Sequence, residues 1–164
     1  TNRPLVFVSR EVEHKEVIDM KNIYRKDKVE HKRTVTKKSD GEVIKKREHT
    51  FSLHNLQDPL SAMLYFRSRR LKDGDVVHLA LHPFRSAQYA QVKVLGRERH
   101  RGQPCIKLDL KIRNVDKDTK QLKPYKKMKK ATLWISDDAD RILVELRSEV
   151  FIGDVRMVLT ERKN

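Results

Sequence analysis

The sequence lacks most of the residue combinations that covalent chemistry or metal binding requires. Its single cysteine, Cys105, has no partner for an internal disulfide, a redox pair or a cysteine-based metal site. No HExxH pair, Gly-rich phosphate loop or Gly-x-Ser-x-Gly elbow occurs. His78 and His82 fall on the same side of a predicted strand, about 13 Å apart, which is too far to share a metal ion. The residues give no positive support for an enzyme, and we expect no catalytic residue, metal or cofactor.

Glycine, proline and long apolar runs are also scarce. Five glycines and five prolines among 164 residues argue against a disordered or low-complexity chain. No apolar run approaches the roughly 20 residues of a membrane-spanning helix. The chain begins with Thr1 and has no apolar targeting segment, which is typical of an excised or mature piece. Its length favours one domain.

Basic residues, by contrast, are abundant. Lysine and arginine total 38 against 23 acidic residues, which gives a formal net charge of +15 and a pI near 10.0. The surplus is concentrated in residues 21–49, with 11 basic and 5 acidic side chains, and in residues 111–130, with 9 and 2. Such a field favours polyanionic partners: nucleic acid, anionic lipid or acidic glycan. Solvated sheet faces, on which lysine prevents sheet-to-sheet aggregation, are the alternative interpretation.

Most apolar residues alternate with polar ones, which is the period of a β-strand. The clearest example is residues 106–113, where isoleucine and leucine alternate with charged side chains. Ser39-Asp40-Gly41 predicts a turn between strands at Val29–Lys38 and Glu42–Thr50. The whole pattern predicts an all-β, mainly antiparallel fold: a strongly curved meander sheet or half-barrel of about nine strands.

One segment has helical spacing instead. Asp58 can cap the first turn of a helix, and Pro59 suits its first position. Leu60, Met63 and Leu64 recur at intervals of three and four residues, which predicts a buried apolar stripe. We therefore expect one short helix packed against the sheet, and we expect an aspartate at position 64 to unfold the domain.

Three further features invite a functional interpretation. Asp137 and Asp138 are adjacent carboxylates, but neighbours on extended backbone face opposite ways, so we expect turn hydrogen bonds and pairing with Arg141 rather than catalysis. Trp134 is expected between sheet and helix, although tryptophan at a sheet rim can also stack on a sugar. Cys105, at the head of a strand, is expected to be an unreactive structural thiol.

Several short motifs together resemble one bacterial family. They are Asp58-Pro59-Leu60-Ser61-Ala62 with Tyr65 and Arg67, residues 92–98, residues 133–138, residues 141–144, and Gly153-Asp154-Val155. On these motifs, residues 51–160 resemble the bacterial envelope family known as domain of unknown function 3108, and the earlier residues resemble it in strand pattern alone. The motif residues for which we expect structural roles are Asp58, Pro59, Ser61, Arg67, Trp134, Asp137, Asp138, Arg141 and Gly153.

The resemblance implies a periplasmic or outer-membrane-associated half-barrel, similar in shape to bacterial lipoprotein carriers. It implies no catalytic residue. Family members usually carry a signal peptide and more strands upstream, so we expect residues 1–164 to be a single domain from the C-terminal part of a longer secreted chain. A cytoplasmic location stays open.

The favoured function is that of a non-enzymatic envelope domain that binds an anionic or amphipathic partner. The candidates are lipid, lipopolysaccharide, peptidoglycan or another envelope protein. The expected mechanism combines a concave apolar surface with a cationic rim that attracts an acidic group. The candidate anion-binding rim consists of Lys111, Arg113, Lys126, Lys127, Lys129 and Lys130.

The alternative is a basic nucleic-acid-binding β-domain. It would use the lysines at positions 123, 126, 127, 129 and 130 for phosphates and Tyr125 as a stacking ring. The sequence has no RNP-type aromatic pair, helix-turn-helix or zinc knuckle to accompany them. Nucleic-acid binding is therefore ranked below binding of an envelope component.

Overall fold

The computed structural model describes residues 6–82, 86–126, 130–150 and 153–161, which form eleven strands and one helix. In chain order they are β1 Val6–Val12, β2 Glu16–Tyr24, β3 Lys28–Lys37, β4 Val43–Ser52, α1 Pro59–Arg67, β5 Val76–Leu81, β6 Gln88–His100, β7 Gln103–Val115, β8 Leu122–Pro124, β9 Lys130–Ser136, β10 Leu143–Val150 and β11 Gly153–Val158.

The strands form two sheets. The N-terminal sheet has the order β1-β2-β3-β4, and the C-terminal sheet has the order β11-β10-β9-β7-β6-β5, with β8 paired to β7. Every pairing between these strands is antiparallel. The predicted all-β antiparallel fold with one short helix is confirmed, although within the described residues the strands are divided between two sheets and close no barrel.

The predicted hairpin between β3 and β4 is present. Gly41 adopts a φ of +75° in the turn, a conformation that costs glycine little because it has no Cβ. The Glu42 amide donates to the Asp40 carboxylate at 2.8 Å, and this side-chain hydrogen bond stabilises the turn. The resulting register places His31 directly opposite His49.

The C-terminal sheet has one apolar face, and α1 packs against it. The alternation over residues 106–113 is confirmed, because Ile106 and Leu108 are buried with Ala62 and Phe66 of the helix in one cluster. Burying a side chain as large as Phe66 contributes about 2 kcal/mol. This cluster is the main core of the described molecule.

The helix begins as predicted but presents a different face to the sheet. Pro59 is its first residue, and Asp58 Oδ1 accepts hydrogen bonds from the amides of Leu60 and Ser61 at 2.9 and 3.1 Å. The predicted apolar stripe is wrong: Leu60, Met63 and Leu64 are 58, 45 and 51% exposed. The buried helical residues are Ser61, Ala62 and Phe66.

Two properties of α1 explain this error. The helix has nine residues, about two and a half turns, so apolar side chains occupy several of its sides. Ser61 and Ala62 are small and let the helix backbone approach the sheet, and Phe66 fills the space beyond them. Periodicity measures the spacing of apolar residues and does not identify which apolar face meets a neighbour.

A second apolar cluster joins the two sheets. It consists of Tyr24, Val29 and Phe51 from the N-terminal sheet with Leu56, Ala87 and Val115. The Tyr24 hydroxyl donates to the backbone carbonyl of His82 at 2.8 Å, and burial raises the pKa of this phenol.

The described part of the chain contains no helix with the length and apolar character of a membrane span.

Candidate functional site

A groove of about 670 Å³ lies where β4 of the N-terminal sheet meets β7 and β8 of the C-terminal sheet. This volume is within the range of small-molecule sites, about 300–1,000 Å³. We call it the junction groove. Its lining residues are His49, Phe51, Ser86, Asn114, Val115, Asp116, Lys117, Lys123, Pro124, Tyr125 and Lys126.

The floor of the junction groove is apolar. Phe51 and Val115 belong to the cluster that joins the sheets, so the groove continues from a packed interior. Short strand β8 pairs with the end of β7, with Pro124 opposite Arg113, and this pairing holds Pro124 and the half-buried Tyr125 beside Val115. Local strand pairing therefore positions the part of the floor that β7 and β8 provide.

Lysines surround this floor. Lys117, Lys123 and Lys126 line the groove, and the Lys120 ammonium lies 4.2 Å from the centroid of the Phe51 ring. The turn between β7 and β8 also contains Asp116 and Asp118, so these four lysines and two aspartates leave a local surplus of +2. The groove therefore combines apolar surface with positive charge.

Asp116 organises the turn that carries these lysines. Its carboxylate accepts from Lys123 and from the amides of Asp118 and Thr119 at 3.0 and 2.9 Å. The Lys123 ammonium, followed by these amides, holds the pKa of Asp116 well below its usual range. A carboxylate this weakly basic is a poor general base.

Asn114 places an additional polar group in the groove wall. Its side-chain oxygen is buried and accepts no hydrogen bond from the described residues. A buried acceptor without a donor costs about 1–3 kcal/mol. A ligand hydroxyl in the junction groove would satisfy it.

Three histidines pack together at one side of the groove, and we call them the histidine cluster: His31, His49, which lines the groove, and His82. The His31 ring centroid lies 4.6 Å from that of His49 and 5.8 Å from that of His82. His31 also bonds through Nδ1 to the Asn22 side-chain oxygen at 2.7 Å. Among the described residues, no three His, Cys, Asp or Glu side chains are placed to hold a metal ion.

His82 is the most deeply buried member of this cluster. It is fully buried, and neither ring nitrogen has a hydrogen-bond partner in the described structure. Burial, followed by the proximity of His31 and His49, lowers the pKa of His82 to about 4. The ring is therefore neutral at pH 7.

Sequence reasoning missed this cluster, although part of its signal was available. The predicted turn is centred on Asp40, and His31 and His49 each lie nine residues from it, so the hairpin alone places them opposite each other. His82 belongs to the segment after β5, and only the packing between the sheets brings it to them.

The candidate anion-binding rim is not gathered in one place among the described residues. Lys126 lines the junction groove, whereas Lys130 begins β9 and lines another cleft. Lys111 and Arg113 are exposed on β7, with Lys111 Nζ 3.8 Å from the Asp109 carboxylate. Lys127 and Lys129 lie outside the described residues.

The motif residues near residue 138 connect the helix to the turn between β9 and β10. Asp138 Oδ1 accepts from the Ser136 hydroxyl at 2.7 Å and from the Arg141 amide at 2.9 Å. The Arg141 guanidinium donates to the carbonyl of Arg67, the last residue of α1, at 3.1 Å. These contacts give the motif a structural role.

The remaining motif residues also make turn and strand contacts. Asp137 accepts from Arg97 Nε at 3.1 Å, and Gly153 begins β11 with a φ of +111°. Ser61 is buried on the sheet side of α1. Cys105 is fully buried, and burial raises the pKa of its thiol.

Trp134 lies on the opposite side of the sheet from its predicted place. Its strand neighbours Leu133 and Ile135 pack in the core with the helix, so Trp134 points to the other face. There its ring stacks on His100 with a centroid distance of 4.2 Å, and its Nε1 donates to Glu98 at 2.7 Å. The expectation of packing between sheet and helix is wrong because strand side chains alternate.

Comparisons with known proteins support the fold. A family model described as "Protein of unknown function (DUF3108)" matches residues 1–160, which includes the N-terminal sheet. No curated protein matches the chain significantly. The chain is similar to the crystal structure of a beta-barrel-like protein of domain of unknown function DUF1849 from Brucella abortus, with a TM-score of 0.51 and 12% identity, covering 95% of this chain and 78% of that one. At this identity the likeness shows the fold alone.

Proposed function

The chain belongs to the DUF3108 family of proteins of unknown function, and on that premise we propose that it is a non-enzymatic domain that binds an anionic lipid in the junction groove. The observation that carries the proposal is an apolar floor surrounded by lysines. A periplasmic or outer-membrane-associated location is part of the proposal and rests on the resemblance of the sequence to bacterial envelope proteins.

The floor suits an acyl chain. Phe51, Val115, Pro124 and Tyr125 offer ring and aliphatic surface without a charge among them. Each methylene buried against such a surface contributes about 0.8 kcal/mol. A peptidoglycan strand offers little apolar surface, so the groove favours lipid among the envelope components.

The lysines suit an acidic head group. Lys117 and Lys126 line the groove without an ion pair between either of them and any described carboxylate, whereas Lys123 is paired with Asp116. Ammonium groups at the edge of a low-dielectric surface raise the local concentration of anions. The Asn114 oxygen adds an acceptor for a head-group hydroxyl.

Titration calorimetry with lysophosphatidylglycerol tests the proposal. Lysophosphatidylcholine with the same acyl chain is the matched zwitterionic probe, and glycerol phosphate is the head group without its chain. We expect saturable binding of lysophosphatidylglycerol and much weaker binding of both comparison probes. Equal binding of the two lysolipids would contradict the role of the lysines.

Charge reversal locates the site. The double variant Lys117→Glu with Lys126→Glu is expected to weaken lysophosphatidylglycerol binding by about tenfold. Its control, Lys21→Glu with Lys93→Glu, makes the same charge change at two exposed strand positions outside the groove. Binding of single-stranded DNA in preference to the lysolipid, with a steep salt dependence, would overturn the proposal in favour of nucleic acid.

A further inference from the structure

A second cleft lies on the polar face of the C-terminal sheet, opposite the helix, and has a volume of about 710 Å³. We call it the Trp134 cleft. The charged and aromatic residues of its lining that bear on binding are Lys107, Trp134, Arg147, Glu149, Asp154 and Arg156. It shares no lining residue with the junction groove.

A buried carboxylate anchors one end of this cleft. The β9–β10 pairing shifts register between Leu143 and Glu145, and Glu145 is fully buried. Its carboxylate accepts from Arg156 Nε at 2.7 Å, from His100 Nε2 at 2.9 Å and from Arg147 Nε. Arg156, chiefly, lowers the pKa of Glu145 to about 2. The carboxylate is therefore ionised at pH 7.

The Trp134 ring makes cation–π contacts with two basic side chains at the Glu145 end of the cleft. The Arg147 guanidinium carbon lies 5.0 Å and the Lys107 ammonium 5.5 Å from the indole ring. With Nε bonded to Glu145 and its guanidinium carbon close to the indole ring, the Arg147 side chain has little freedom left to lose on binding. Arg147 and Arg156 nevertheless remain about half exposed, at 49 and 50%.

The register between β10 and β11 places side chains of like charge opposite each other. Arg147 lies opposite Arg156, and Glu149 lies opposite Asp154. Like charges in directly opposite positions are destabilising, and a register with each arginine opposite a carboxylate would avoid this cost. The two pairs are two residues apart along each strand, about 7 Å, and share one face.

The cleft therefore has a positive and a negative end. Lys107, Arg147 and Arg156, with Arg101, Glu98 and Glu145 behind them, leave a formal +2 at one end. Glu149 and Asp154, with Lys130 opposite Glu149, leave −1 at the other. We propose that the Trp134 cleft binds a phosphate monoester that carries an ammonium group a few ångströms away.

The chemistry of each end fits one half of this ligand. The planar guanidinium of Arg147 is suited to phosphate oxygens, and Lys107 adds a third cation. The Glu149 and Asp154 carboxylates accept hydrogen bonds from the ammonium group. Phosphoethanolamine and amino-sugar phosphates share this chemistry.

Nuclear magnetic resonance titration of the intact protein with four probes tests the proposal. The probes are phosphoethanolamine, glucosamine 6-phosphate, glucose 6-phosphate and inorganic phosphate. We expect the first two to shift the indole N–H of Trp134 and to bind about fivefold more tightly than the last two, the effect of one half-exposed ion pair. If phosphoethanolamine binds more tightly than glucosamine 6-phosphate, the natural ligand is of the phosphoethanolamine class. The opposite order indicates an amino-sugar phosphate.

Variants separate the two ends of the cleft. Arg147→Gln is expected to weaken every probe by about tenfold, with Arg47→Gln, exposed on β4 of the other sheet, as control. Glu149→Gln with Asp154→Asn, both at exposed positions, is expected to abolish the preference for amine-bearing probes. This second variant keeps the test decisive if Arg147→Gln does not fold.

Two results would overturn the proposal: no probe shifts the Trp134 indole, or glucose 6-phosphate binds as tightly as glucosamine 6-phosphate. The Lys117→Glu and Lys126→Glu double variant is expected to retain full binding in this cleft. The lipid proposal for the junction groove and the phosphate-monoester proposal for the Trp134 cleft can therefore fail independently of each other.

Discussion

The two sheets bury titratable groups in opposite ways. Beside the edge of the N-terminal sheet, the histidine cluster buries the His82 ring, which is neutral at pH 7 and has no hydrogen-bond partner for either nitrogen among the described residues. In the C-terminal sheet, Glu145 is equally buried but ionised, because Arg156, Arg147 and His100 donate hydrogen bonds to it. The comparison shows that burial alone sets no charge state; the available partners decide it.

The largest expected effect comes from removing the charge of Glu145. In Glu145→Gln the cations around the carboxylate lose their shared partner, and we expect the free energy of unfolding to fall by about 3 kcal/mol. Urea denaturation with an unchanged m-value measures the loss. Glu149→Gln, exposed on the same strand, is the control and should change stability by less than about 0.5 kcal/mol. Equal losses in both variants would remove the distinction between buried and exposed carboxylates.

The next effect is a loss of stability in mild acid caused by the histidine cluster. His82 has an ordinary pKa of 6.5 and a folded-state pKa of about 4, so between these values the unfolded chain binds the additional proton. Stability is therefore full above pH 6.5 and falls by about 3 kcal/mol as the pH decreases to 4. Glu145 has an ordinary pKa of 4.5 and a folded-state pKa of about 2. Its contribution to stability is therefore complete above pH 4.5 and is lost only as the pH falls from 4.5 through 2.

Urea midpoints between pH 7 and pH 4 measure this window. The control is His78→Gln, which changes an exposed histidine of β5 and should keep the pH dependence of the parent protein. A midpoint that stays constant from pH 7 to pH 4.5 would show that His82 is protonated without cost in the folded state, and the contrast between the clusters would disappear.

The smallest effect is expected from a carboxylate added at the surface. Leu64 is half exposed on α1, so Leu64→Asp should change the free energy of unfolding by less than about 1 kcal/mol. This outcome replaces the expectation of unfolding that followed from a buried stripe. Thermal denaturation beside Phe66→Ala, for which about 3 kcal/mol is expected, provides the scale. A larger loss at Leu64 than at Phe66 would mean that the helix packs through its other face.

Local patterns predicted much of the secondary structure. Alternation identified the strands, Ser39-Asp40-Gly41 identified the β3–β4 turn, and Asp58 with Pro59 identified the start of α1. Each of these features depends on neighbouring residues: the period of the side chains, the φ that glycine allows, and the first free amides of a helix. They can therefore be read without knowledge of distant contacts.

The candidate sites were harder to predict because they combine distant segments. The junction groove joins Phe51 to Val115 and Lys126, and the Trp134 cleft joins β7, β9, β10 and β11. The basic stretch 111–130 was recognised, but Lys117, Lys123 and Lys126 line one cleft and Lys130 another, because β8 and β9 pair with different parts of β7. Linear clustering of lysines did not predict spatial clustering.

The fold class, the start of α1 and the surplus of positive charge could be derived from the amino-acid sequence, because they follow from short-range periodicity and composition. Contacts between distant segments were needed to establish which face of α1 is buried, where Trp134 points, how the histidines meet and that two arginines and His100 surround Glu145. Those outcomes depend on register, on a shift in one strand pairing and on contacts between sheets. Such choices are made by residues far apart in the chain, and no local pattern encodes them.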